Sequence, residues 1–392
     1  MTYNFDAPVS RTGTASEKWD GAEAYFGRAD IAPLWVADMD FAAPPEVTAA
    51  LTARARHPVY GYTFATEEVY ASLIDWLQAC HGWRVEREWI LLAPGVVPSI
   101  HAAIQAFTTV DEAVIVQPPV YAPFFKAVAT LGRPMLENPL RQVQGRYRMD
   151  VEHLEQCAAQ GAKLLLLCSP HNPVARVWQP GELKEVLRIA RRYGMTVFAD
   201  EIHADLVYPE FRHTPLASLA DEQDSVITGV APSKTFNIPG LGLSALIIPD
   251  PAQRAKLARI FASQAVHTAN PFSLAAFAAA YRHGAGWRDA VMLYLRDNRD
   301  AAMRFIAGRL PGIEAVAAEG TYLLWLDCRG LGMNDGVLHD FFVRGCGVGM
   351  SPGTVFGTGG SGFMRLNLAA PREFLLQALA RIAEQIAVDG KG

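Results

Sequence analysis

Five short apolar runs in the middle of the chain constrain the fold more than any other feature: AVIVQ at 113–117, KLLLLCS at 163–169, TVFAD at 196–200, SVITGV at 225–230 and LSALIIP at 243–249. None alternates apolar with polar residues as a half-exposed strand does, so they suit strands buried on both faces. Between the second and third lies GELKEVLRIARRYGM, in which Leu183, Val186, Leu187 and Ala190 share one helical face and Gly194 supplies a stop. Strand, helix and strand make a βαβ unit, whose right-handed crossover implies a parallel sheet covered by helices. Sheets of this kind bind ligands beyond the carboxyl ends of their strands, so function is to be sought where each run stops.

A chain of 392 residues has room for two or three domains, or for one large α/β unit with a smaller partner. After about residue 284 the pattern changes. A long helical stretch, WRDAVMLYLRDNRDAAMRFIAGRL, leads into TYLLWLDC at 321–328 and a Gly-rich passage, and a helix at 372–388 closes the chain. TYLLWLD and FMRLNLA are expected to pair in a sheet of their own. The expected division is a large α/β domain at 46–283, with a mostly parallel central sheet, and a smaller α+β domain from 1–45 and 284–392.

Hydrophobic residues at 51% and charged residues at 19% exclude a disordered or low-complexity chain. With 40 acidic against 35 basic residues and no Lys/Arg block, neither nucleic acid nor an anionic membrane surface is an expected partner, which leaves a small molecule. Five cysteines, odd in number and without a CxxC pair, point to reduced thiols and to no metal site. The opening MTYNFDAPVSRTG never builds an apolar targeting core, and no stretch approaches the ~18 apolar residues of a membrane span. A soluble, cytoplasmic protein is expected.

The strand exits carry chemistry. KLLLLCS empties into Pro170-His171-Asn172-Pro173, TVFAD ends on Asp200-Glu201-Ile202-His203, and SVITGV is followed by Ala231-Pro232-Ser233-Lys234. Singly these are an ordinary turn, a helix cap and a solvated lysine. Together an amide, a carboxylate and an amine at neighbouring exits match the needs of pyridoxal phosphate, which requires a lysine for a Schiff base and a carboxylate to keep its ring nitrogen protonated. A phosphate anchor is offered by Ala93-Pro94-Gly95-Val96-Val97-Pro98-Ser99, where the N–H groups of Val96 and Val97 would open a helix and Gly95 would let the backbone come close.

These residues give the chain its resemblance to fold-type I pyridoxal-phosphate enzymes of the aminotransferase class I/II superfamily, and more narrowly to the MalY/PatB group of cystathionine β-lyases. The segments that carry it are KWD at 18–20, WVADMDF at 35–41, YGYT at 60–63, APGVVPSI at 93–100, PPVYAPF at 118–124, SPHNPVARVW at 169–178, DEIHADL at 200–206, APSKTFNIPGL at 231–241 and MRLNLA at 364–369. The resemblance implies Lys234 as the cofactor-bearing lysine and the base for the Cα proton, with Asp200 against the pyridinium nitrogen. It implies Asn172 and His203 at the cofactor's phenolic oxygen and Tyr121 on its ring face. Gly95, Val96, Val97 and Ser233 would hold the phosphate, together with Tyr62 from a partner subunit in a homodimer. Arg365 would grip the substrate α-carboxylate, alongside Asn172. The side-chain pocket would be lined from Trp35 to Asp38, Ala37 among them, and from Tyr322.

Three positions depart from the wider superfamily. Gly242 stands where many aminotransferases have a phosphate-binding arginine, and His203 where most have tyrosine; both lean toward the lyase group. Ala175 stands where glycine is expected. The resemblance implies a carbon–sulfur β-lyase acting on cystathionine or related S-substituted cysteines, the alternative being an aminotransferase, since both use the same Lys234, Asp200 and Arg365.

Overall fold

The computed structural model describes residues 3–389, so residues 1–2 and 390–392 of the expected smaller domain lie outside it. Seven strands form the central sheet in the spatial order Ile90–Ala93, Ser244–Ile247, Ser225–Val230, Thr196–Asp200, Leu164–Cys168, Val114–Val116 and Met135–Glu137. Every pairing is parallel except the two made by Ser244–Ile247. That strand reverses because residues 231–243 stay at the edge where Ser225–Val230 ends, folded into the short helix Pro232–Thr235 and the turn Pro239–Leu241. The chain therefore re-enters the sheet from the edge it has just left. Ile90–Ala93 and Met135–Glu137 are strands that the apolar runs did not announce.

The absence of alternation in the runs has a direct cause. On the Leu164–Cys168 strand, Leu164, Leu166 and Cys168 pack to one side with Ile100, Ile104, Phe198 and Ile227. Leu165 and Leu167 pack to the other with Leu183, Val186 and Leu187 of the helix Pro180–Tyr193. Each such leucine contributes roughly 1.5–3 kcal/mol by leaving water, which is why the strand is apolar at every position.

The smaller sheet joins Glu314–Ala315, Leu323–Asp327, Phe363–Asn367 and Ser351–Pro352, all antiparallel, and sets Trp325 opposite Arg365. TYLLWLD and FMRLNLA thus pair with each other. Ala32–Pro33 runs parallel to Val348–Gly349, which lays the N-terminal segment onto the C-terminal region. Ala285–Arg309 packs against the closing helix Arg372–Asp389. Among the described residues no helix is long and apolar enough to cross a membrane, and Cys80, Cys157, Cys168 and Cys328 are free thiols.

The loop after Leu164–Cys168 is pinned to the C-terminal region by a buried ion pair. Arg176 bonds the Tyr147 carbonyl at 2.7 Å, Glu182 at 2.9 Å and Glu319, whose carboxylate also takes the Val177 N–H. Ala175, one residue earlier, has φ +55, the left-handed conformation that glycine adopts without strain. Glu319→Ala is expected to cost about 3 kcal/mol of stability, as removing one partner of a buried pair does. The urea midpoint reports it, and a loss under about 1 kcal/mol would mean that Glu182 alone suffices for Arg176.

Candidate active site

Parallel pairing in register brings Cys168, Asp200 and Gly229 side by side at one edge of the sheet. The Ile90–Ala93 strand, antiparallel to an antiparallel strand, ends at that edge as well. The segments that follow these strands therefore converge there. They line a cavity of about 210 Å³ whose walls include Ala37, Gly95, Val96, Val97, Tyr121, Asn172, Asp200, His203, Ser233 and Lys234.

At one end of the cavity the helix Val96–Phe107 begins with no side chain capping it. Its first N–H groups are free to meet an anion. Gly95 has φ 162, extended backbone open to any residue, so its role is to leave the helix start uncovered rather than to supply a special turn. No arginine lines this end; Gly242 does, with φ +45, so backbone N–H groups and the Ser233 hydroxyl are the donors available.

Lys234 donates from Nζ to the Ala37 carbonyl at 2.7 Å, and the Tyr322 hydroxyl donates to the same oxygen at 2.8 Å. Burial, with the Arg365 charge next, lowers the Lys234 pKa to about 8. Asp200 is its converse. The only hydrogen bond to its carboxylate among the described residues comes from the Ile202 N–H at 3.2 Å, and burial raises its pKa to about 7. Burial, then the positive charges of Lys234 and Arg365, lower His203 to about 3, so its ring is neutral; its Nδ1 has no partner among the described residues. Tyr121 is raised to about 12 by burial and by Asp200.

Arg365 opens a second, adjoining cavity, which shares Ala37, Tyr121 and Lys234 with the first. It projects from the Phe363–Asn367 strand and is buried. Nη1 donates to Asn172 Oδ1 at 3.1 Å, and Nη2 to the Trp35 carbonyl at 2.7 Å and Ser351 Oγ at 3.1 Å. Among the described residues Nε has no partner and Arg365 makes no ion pair. A buried guanidinium without a carboxylate is expensive unless an anion arrives to meet it. Burial lowers its pKa to about 10.

Of the residues singled out from the sequence, Tyr322 lines neither cavity and meets the site through the Ala37 carbonyl, and Tyr62 stands apart. It is fully exposed in the segment between the helices Pro45–Arg56 and Glu67–His81 and touches neither cavity. Others were not singled out. Asn237 bonds the Met39 N–H and the Met39 and Phe41 carbonyls, while Asn367 bonds the Val36 and Asp38 carbonyls; together they fix the segment that carries Ala37. Both lie inside quoted motifs, SKTFNIPGL and MRLNLA; for Asn367 the available signal was a lone Asn on an apolar strand, whereas Asn237 sits in the loop between Pro232–Thr235 and Pro239–Leu241. Cys168, last residue of its strand, also lines the first cavity.

These residues fit pyridoxal phosphate. An under-bonded buried carboxylate answers a cationic ring nitrogen, an unpartnered imidazole nitrogen and an amide answer a ring oxygen, and an uncapped helix start answers a phosphate.

A sequence profile described as aminotransferase class I and II matches residues 30–382. The chain is 41% identical to cystathionine beta-lyase PatB of Bacillus subtilis over 97% of this chain and 98% of that one. It is 32% identical to protein MalY of Escherichia coli over 98% and 99% of the respective chains. Cystalysin from Treponema denticola, whose crystal structure contains a pyridoxal 5′-phosphate cofactor, superposes with a TM-score of 0.96 at 35% identity, covering 99% of this chain and 100% of that one.

Only the neutral amine is a nucleophile, and a pKa near 8 in place of the ordinary lysine value of about 10.4 moves its appearance into the physiological range. In cofactor-free protein, trace acetic anhydride is therefore expected to label Lys234 at a rate that climbs roughly tenfold per pH unit below about pH 8 and then levels off. Peptide mass spectrometry reads the profile, with exposed Lys184 as the internal control. A Lys234 profile still climbing past pH 10 would contradict the burial argument.

Proposed function

We infer, for a chain that belongs to the aminotransferase class I and II family and within it to the group of PatB- and MalY-type cystathionine β-lyases, that this protein is a pyridoxal-phosphate-dependent carbon–sulfur β-lyase. It cleaves cystathionine or related S-substituted cysteines to pyruvate, ammonia and a thiol, which from cystathionine is homocysteine. The observation that carries the reading is the union of Lys234, a buried amine, with Asp200, a buried carboxylate, beside an Arg365 that lacks a carboxylate partner.

The cofactor, when bound, supplies an electron sink for the pair of electrons left on Cα. Asp200 would keep that sink protonated, and Tyr121 would cover one face of the ring. Asn172 and His203 would meet the phenolic oxygen, the neutral His203 ring serving as a hydrogen-bonding partner without adding charge. Val96, Val97, Ser233 and the open backbone at Gly95 would hold the phosphate.

Arg365 would grip the substrate α-carboxylate through its guanidinium, and Asn172 would orient that fork. Trp35, Ala37 and Tyr322 would frame the amino-acid head. Lys234, once free, is the base that takes the Cα proton, a positioned transfer typically worth roughly 10²–10⁴-fold. Departure of the thiolate from Cβ then completes elimination. The same Lys234, Asp200 and Arg365 would serve amino transfer equally, which is the alternative reading.

We also propose a homodimer with shared sites, residues 46–283 forming its larger domain. The support is a run of exposed large apolar side chains, Val59, Tyr60, Tyr62 and Phe64, of the kind that marks an interaction surface. Tyr62 would then reach the partner's phosphate site. A cytoplasmic setting suits the free thiols of Cys80, Cys157, Cys168 and Cys328.

Incubation with cystathionine and pyridoxal phosphate, without a keto acid, is expected to release pyruvate and free thiol in equal amounts, and Lys234→Ala to abolish both that release and the absorbance of bound cofactor. Amino transfer that appears only when a keto acid is supplied would reassign the chain as an aminotransferase. Mixing Lys234→Ala chains with Tyr62→Ala chains tests the shared site. Random pairing should restore about a quarter of wild-type activity, because half the dimers then hold one intact site; activity no greater than the two parents' average would rule out a contribution from Tyr62 across the interface.

A further inference from the structure

Lys234 sits on a helix of a single turn, Pro232–Thr235, closed by the Phe236 N–H on the Pro232 carbonyl at 2.9 Å. A turn that short does not hold its own orientation, so its tethers to the rest of the fold decide where the amine points. One tether is the amine itself, on the Ala37 carbonyl. Another lies outside the cavity. Thr235, the next residue, is fully buried and donates from Oγ1 to Asp205 Oδ2 at 3.2 Å.

Asp205 lines neither cavity. It stands on the loop that follows the Thr196–Asp200 strand, the loop that also carries His203. Its carboxylate is buried, and its Oδ1 accepts from Trp76 Nε1 at 2.9 Å and His81 Nε2 at 2.8 Å, both on the helix Glu67–His81. Burial works to raise the Asp205 pKa, and the hydrogen bond and charge of His81 outweigh it, so the group is held below its ordinary value. A buried carboxylate is costly where apolar side chains would fill the same space. This one joins three elements: the loop next to Asp200, the turn of Lys234 and the helix Glu67–His81.

We propose that Asp205 is a positioning residue for the base: through the Thr235 hydroxyl it sets the orientation of the turn that carries Lys234, and so fixes the amine relative to Asp200 and His203. The inference rests on Lys234 as the base, a role that elimination and amino transfer share, and not on which group leaves. Trp76 and His81 hold the carboxylate in place when Thr235 is changed, so the effect of that change stays at the turn.

Thr235→Val removes the hydroxyl and keeps the shape, whereas Thr235→Ser keeps the hydroxyl. With cystathionine, Thr235→Val is expected to lower kcat about tenfold or more while KM stays within about twofold, because Arg365 and its partners are untouched. Thr235→Ser restores kcat. Asp205→Asn also lowers kcat, and combined with Thr235→Val it gives less than the product of the two losses, since both act along one path. Acetic anhydride labelling of Lys234 in cofactor-free protein gives a readout independent of turnover. Its midpoint, about 8 in the wild type, rises toward the ordinary lysine value in Thr235→Val and Asp205→Asn, as an amine loosened from Ala37 regains water, and returns in Thr235→Ser. A kcat within about twofold of wild type in Thr235→Val, a loss that Thr235→Ser fails to restore, fully multiplicative losses in the double variant, or an unmoved midpoint overturns the proposal. If the wild type releases no pyruvate, the lyase reading fails on its own and the labelling midpoints alone decide on Asp205. Thr235→Ala takes the place of Thr235→Val if the valine variant does not fold.

Discussion

Two buried cations share one cavity wall, and the site is organised around the cost of keeping them there. Burial lowers the proton affinity of both, the Arg365 charge lowers that of Lys234 further, and among the described residues neither has a carboxylate in contact. The protein stabilises them with neutral oxygens instead. Ala37 and Trp35 give main-chain carbonyls and Asn172 and Ser351 give side-chain oxygens. Neutral acceptors compensate part of the desolvation without cancelling the charge. What remains uncancelled is available to a carboxylate that comes and goes, which a permanent salt bridge would not leave available. The two carbonyls belong to one short segment, so its position decides the energetics of both cations. Asn237 and Asn367 clamp that segment from opposite sides through five hydrogen bonds.

Around the cations the remaining groups have their charge states set by burial in opposite senses. His203 is pushed toward the neutral ring and Asp200 toward the protonated acid, each chiefly by removal from water. Groups with perturbed proton affinities gathered in one cleft mark functional sites more often than structural ones. Their convergence follows from topology. Strands that run parallel end at one edge, and the main-sheet strand that breaks the pattern, Ser244–Ile247, does so where the chain has already turned back with Lys234 at that edge.

The sequence made much of this legible because burial on both faces leaves a trace in residue type. Runs such as KLLLLCS mark central strands, and the polar residue at the end of each then marks the ligand edge. The trace is weaker elsewhere. Strand direction is not encoded in hydrophobicity, so the reversal at Ser244–Ile247 had to come from the geometry of the preceding loop. Met135–Glu137 lies at the sheet's edge, part exposed, and lacks a long apolar run. Asn237 and Asn367 were quoted within motifs and given no role, because an asparagine that holds another segment's backbone looks in sequence like any turn residue or polar interruption. Tyr62 shows the opposite limit. Its role rests on resemblance alone, and in a single chain it lies in solvent.

The same geometry explains why the reaction is harder to read than the cofactor. Removal of the Cα proton requires an amine over Cα, a protonated ring nitrogen and a fixed α-carboxylate, and Lys234, Asp200 and Arg365 answer those needs whichever product follows. What separates elimination from amino transfer is the group on Cβ and its ability to leave as a thiolate. The larger cavity beside Arg365, walled in part by Arg11, Tyr25, Trp35 and Asp38, is the space open to such a group. The N-terminal segment that walls this space is the same stretch whose carbonyls hold the two cations. A shift of that segment would alter how the amine is held and what can occupy the leaving-group space together, so substrate range and Lys234 reactivity are mechanically linked through Asn237 and Asn367 rather than independently adjustable.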